Sequence, residues 1–202
     1  MNTANIRKKK GQKNMNNYTA NKELKAVLDA FAAEYKAASE TSRIAFMQSM
    51  KGGDTIPEPG HLYGNDAKEA FDRKCTELRA RAAAVMDTLT AEAQAQLYAA
   101  PDRECAAVVD VLRGRTNVTQ EEAYGLLVKY GYNALTYRAI ASAAAANGMK
   151  VDDCPQKVRL DALKELQADL ARTITTQSAE VGHATEGFIE MFKMKIDDVL
   201  PA

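Results

Sequence analysis

The chain has 202 residues, and 27 lysines and arginines balance 27 aspartates and glutamates to a formal charge of zero, which excludes a general attraction to nucleic acid or to an anionic membrane surface. Hydrophobic residues make up 46%, but 36 of them are alanine, aromatics are only 6% and tryptophan is missing. Large side chains are therefore scarce, and thin helix-on-helix packing is expected in place of a deep interior.

Residues 1–14 hold Arg7, Lys8, Lys9, Lys10 and Lys13 and no acid, so the remainder is net acidic. Residues 1–20 read as a disordered basic leader. Lys-Lys-Gly-Gln-Lys-Asn ahead of Met15 is what a purine-rich ribosome-binding sequence encodes when translated, and the competing reading is a phosphate-binding or nuclear-localisation arm. An apolar stretch follows neither this cluster nor any other, so neither a signal peptide nor a membrane span is expected. Three cysteines without paired spacing suit a reducing, cytoplasmic setting.

The first predicted helix runs from an Asn21 cap to about Met50. Leu24, Leu28, Phe31, Tyr35 and Ala38 form its stripe, which shifts to Ile44 and Met47 beyond a bend near Ser39. Residues 51–64 form a glycine- and proline-rich loop. The second helix, capped by Asn65 or Asp66 and running to about Leu89, carries the ladder Phe71, Cys75, Leu78, Ala82, Val85 and Leu89 in steps of 4-3-4-3-4. That spacing is the seam of a helix lying along another helix.

Shorter elements are predicted next. Thr90 would cap a helix to Ala99, and Pro101 would open one to Arg113 that buries Cys105, Val108, Val109 and Leu112. Thr119 and Glu122 form a capping box with Val118 and Ala123 as its staple, and this helix closes at Gly131. Asn133 caps the next helix, which ends at Asn147 and Gly148. From Asp153 a long helical segment carries Val158 (or Arg159), Leu163, Leu166, Leu170 and Ile174, then Val181, Ala184, Phe188, Met191 and Val199. The run Thr173–Thr176 and Gly182 between them invite a break. The fold class is accordingly an all-α helical bundle, with two or three long coiled-coil-like helices and a cluster of shorter ones. Residues 21–150 form the helical domain, and 151–202 form a long C-terminal segment that packs in cis or in an oligomer.

Reactive groups do not cluster. His61 and His183 lie in different elements without the paired spacing of a zinc site, although Asp54 and Glu58 flank His61. Cys75 and Cys105 occupy apolar stripes, and Cys154 precedes Pro155 without a neighbouring base. The acid pairs Glu121-Glu122, Asp152-Asp153 and Asp197-Asp198 sit at helix ends, and those at N-terminal ends complement the helix dipole. No catalytic residue, cofactor site or metal site is expected.

Thr119-Gln120-Glu121-Glu122-Ala123, the Gly131 turn and Leu135-Thr136-Tyr137-Arg138 together resemble the helix-turn-helix of bacterial repressors over about thirty residues. The resemblance implies that Asn133–Asn147 reads the major groove through Asn133, Thr136, Tyr137, Arg138 and Ser142. Two features depart from it. Leu127 stands where that family prefers a small residue, and residues 101–150 hold only 6 basic groups against 5 acidic ones. Nucleic acid is therefore not the expected partner.

Half of the eight tyrosines fall in this hairpin, which makes Tyr124, Tyr130, Tyr132, Tyr137 and the adjacent Arg138 the candidate interaction face. The leading expectation is a non-enzymatic interaction or assembly protein that self-associates through its long helices or binds a partner protein, an accessory of a bacterial prophage or mobile element. The alternative is a regulator or inhibitor that binds DNA through residues 118–148 or blocks a nucleic-acid enzyme.

Overall fold

A computed structural model describes residues 16–49, 62–115 and 117–201. Their regular structure is entirely helical: α1 (Asn17–Ser49), α2 (Asn65–Leu97), α3 (Arg103–Arg113), α4 (Gln120–Tyr130), α5 (Ala134–Ala146), α6 (Pro155–Thr173), the short turn α7 (Thr176–Ser178) that runs into a π-helical segment (Ala179–His183), and α8 (Glu186–Val199). Residues 1–15 of the leader, most of the glycine- and proline-rich loop, and His61 with its flanking acids lie outside the described residues, while residues 17–20, read as part of a disordered leader, belong to α1.

Four helices make the main bundle. α2 packs on α1 and on α6, α8 packs on α1 and α6, and the four enclose one continuous core. Every residue of the predicted α2 ladder is buried, from Phe71 to Leu89. The ring of Phe31 in α1 stacks on Phe71 with centroids 6.0 Å apart, and Tyr35 tilts onto Phe71 at 5.5 Å. From α6, Leu160, Leu163, Leu166 and Leu170 fill the same core, as do Ile189, Phe192 and Ile196 from α8. The C-terminal stripes find apolar partners within their own chain only in part: Val158, Val181 and Met191 are exposed, and Leu160, Ile189, Phe192 and Ile196 face the core in their place.

Several predicted boundaries move. α1 starts a turn early, because Asn16 Oδ1 accepts from Thr19 N at 2.8 Å and takes the cap role. Asn21 instead donates to Asp197 Oδ1 and to the Leu200 carbonyl, each at 2.8 Å, and ties the start of α1 to the end of α8. α1 does not break near Ser39, and the predicted second stripe points outward, with Ile44 and Met47 exposed. The inward contacts there come from Ser42, whose hydroxyl donates to the Tyr63 carbonyl at 2.9 Å, and from Phe46, whose ring lies 4.8 Å from that of Tyr63.

Neither Asn65 nor Asp66 caps α2; Gly64 holds that position with φ 91°, a backbone conformation that glycine reaches without strain. α2 also runs through Thr90 as one helix of 33 residues. Beyond Leu89 the apolar steps lengthen to Ala93 and Leu97, both buried, and the alanines, glutamate and glutamines between them are strong helix formers that outweigh the cap signal. α3 is capped by Asp102, not opened by Pro101, and it buries Cys105 and Leu112 while Val108 and Val109 stay half-buried. The interruption after α6 is real, with Ile174 buried, Thr175 capping the next turn and Gly182 at φ 96°.

α3, α4 and α5 form a second, smaller cluster around Leu112, Val118, Ala123, Ile140 and Ala144, which leans through α5 on α2 and α6. No helix among the described residues is long and apolar enough to cross a membrane.

Candidate interaction surface

The α4–α5 hairpin is built by local signals, of which the Thr119 cap and its staple act as predicted. Thr119 Oγ1 accepts from Glu122 N at 3.2 Å, and Val118 and Ala123 are buried as the staple requires. The reciprocal half of the capping box does not form, because the Glu122 carboxylate pairs with Arg115. At Gly131 the backbone stays right-handed, with φ −70°, and glycine is needed for a different reason. A Cβ there would lie 2.3 Å from the Leu127 carbonyl oxygen. Asn133 Oδ1 accepts from Leu135 N and Thr136 N at 3.1 Å each, while its Nδ2 donates to the Ala99 carbonyl at 3.2 Å. One side chain thus starts α5 and anchors the turn to the residues just after α2.

The structure brings Tyr124 and Tyr137 to one groove, Tyr137 and Arg138 to a second and Tyr130 to a third. Tyr124 is exposed, and it borders a groove together with Tyr137, whose half-buried ring sends its hydroxyl to the Asp152 carbonyl at 3.1 Å. Burial, then the charge of Asp152, holds the Tyr137 phenol above its usual pKa. Tyr130 packs into the small cluster and borders a separate groove between α3 and α4, with Lys129 Nζ 4.9 Å from its ring centre. Tyr132 donates to Asp102 at the foot of α3 and is held well above the usual phenol range by that bond. Arg138 stands over the Tyr98 ring at 6.0 Å.

The groove beside Tyr124 has a volume of about 1190 Å³. Its walls are α4, through Tyr124, Leu127 and Val128, and the segment 148–152, through Met149 and Val151. Tyr124 and Val128, one turn apart on α4, are 71% and 70% exposed, so an apolar pair stands in water at the groove edge. Sequence reading missed Val128, Met149 and Val151. The four-residue spacing from Tyr124 to Val128 was the available signal, but only tertiary structure brings 148–152 alongside.

The helix-turn-helix reading depends on what α5 presents. Thr136 is fully buried, the Tyr137 hydroxyl is engaged, and Arg138 is the only charged side chain between Ala134 and Ala146. A reading helix needs free polar side chains and a basic rim, and α5 offers little of either.

The reactive groups stay apart. All three cysteines are free and buried. Burial pushes the Cys75 thiol up to about 11, far from the thiolate a nucleophile needs. Cys154 caps α6, and its Sγ lies 3.0 Å from Gln156 Oε1. His183 stacks on Phe188 with centroids 4.1 Å apart. Among the described residues no three or more histidines, cysteines and acids are grouped to hold a metal ion. The chain matches no protein-family model, no curated protein and no solved structure.

Proposed function

We propose that this is a non-enzymatic, self-associating interaction protein whose contact surface is the α4 groove. One observation carries the reading: the bundle core closes within the chain, while Tyr124 and Val128, one turn apart, stand exposed above an apolar groove. Tyrosine on a rigid helix suits such a role, since it contributes contact area at small conformational cost. This reading puts self-association on the hairpin that carries the candidate tyrosine face, in place of the long helices. We place the protein in the cytoplasm, as an accessory of a bacterial prophage or mobile element, on the strength of the leader-like head and the cysteine pattern.

Light scattering over a concentration series tests the reading. A mass that rises reversibly above that of one chain is expected, and a single-chain mass at every concentration rejects it. The second reading, a DNA-binding regulator, has the short Gly131–Asn133 turn and the three-helix cluster in its favour. It requires binding to duplex DNA that weakens steeply as salt rises, and absent binding removes it.

A further inference from the structure

We propose that the α4 groove is a two-fold interface between copies of this chain, in which Tyr124 of each protomer enters the groove of the other and Glu121 of each faces the other's Lys150. The proposal rests on the interaction reading above and adds the occupant and its geometry.

An interface of two identical patches requires the projecting part and the receiving part to lie on the same surface. Here they do: Tyr124 projects, and Leu127, Met149 and Val151 line the hollow next to it. Of the charged residues that line the groove, Glu121, Lys150 and Asp152, the first two are complementary in the same sense. Glu121 stands on the α4 wall and Lys150 on the opposite wall, and neither has a hydrogen-bond or ion-pair partner among the described residues. A two-fold axis running along the groove lays α4 of one protomer over residues 148–152 of the other. The wall that carries Glu121 then faces the wall that carries the other protomer's Lys150, twice, around a core made by the two tyrosines.

Sedimentation equilibrium on the full chain, from about 1 to 300 µM, tests this on wild type and four variants. Tyr124→Ser should weaken dimerisation by roughly 30-fold, because it removes the central anchor, and circular dichroism should show the fold unchanged at so exposed a position. Glu121→Lys and Lys150→Glu should each weaken it by about 5-fold, and the chain carrying both should return to within about 2-fold of wild type. A dimer indifferent to all four variants overturns the interface and leaves self-association standing. A monomer at every concentration overturns both readings.

Discussion

Asp169 sits where α6 meets α8, with Lys195 Nζ at 2.5 Å from Oδ2 and Arg172 on its other oxygen, while Lys195 also reaches Glu165 at 2.9 Å. The bond from Lys195 holds the Asp169 carboxyl below the usual carboxylate range, and Arg172 adds to it. A carboxyl depressed in the folded state contributes stability that is fully present above its unfolded value, near 3.9, and is lost as pH falls through the lower folded value. Replacing it should therefore matter at neutral pH and cease to matter in acid. Asp169→Asn should cost about 1 kcal/mol at pH 7, measured by urea denaturation, and the difference from wild type should shrink as pH falls below about 4. An equal cost at pH 7 and pH 2.5 would mean that the side chain acts by packing alone. Asn133 and Asn21 show the same economy of single residues: each satisfies backbone or side-chain groups of an element remote in sequence, something no local pattern announces.

At the scale of elements, the instructive case is Thr90. Read locally it is a plausible cap, yet α2 passes through it, and its Oγ1 is buried with no partner. A buried hydroxyl without a hydrogen bond costs more than the apolar group that replaces it. Thr90→Val should therefore raise stability by about 1 kcal/mol in a thermal or urea melt. A loss of similar size would instead make Thr90 a cap and split α2 in two. The elements that were legible in sequence are those whose evidence is local or periodic: the Phe71–Leu89 ladder, the Thr119 and Asn133 caps, and the break around Gly182. What was not legible depends on tertiary competition. Ile44 and Met47 keep helical spacing but face water, because Ser42 and Phe46 meet Tyr63. The groove was hidden for the same reason, since its second wall is an irregular segment whose position follows from the packing of α5.

At the scale of the molecule, α6 and α8 complete the bundle. Without them Phe71, Leu78, Leu28 and Phe31 would lose one side of their packing, since all belong to the core that α6 and α8 close. A chain ending at residue 154 should lose cooperative unfolding and bind a hydrophobic dye, as a bundle with its core open to water does. A sharp melt in the shortened chain would show that α1 and α2 form a stable unit without the C-terminal helices. The bundle core is closed in cis, and the proposed contact surface is the α4 groove of the small α3–α5 cluster.

Hydrogen exchange read by mass spectrometry on dilute and concentrated samples reports on that surface directly. Self-association through the groove predicts slowed exchange on concentration in α4 and in residues 148–152, with α2, α6 and α8 unchanged. Slowing that falls on α6 or α8 instead, or no slowing anywhere, would contradict it.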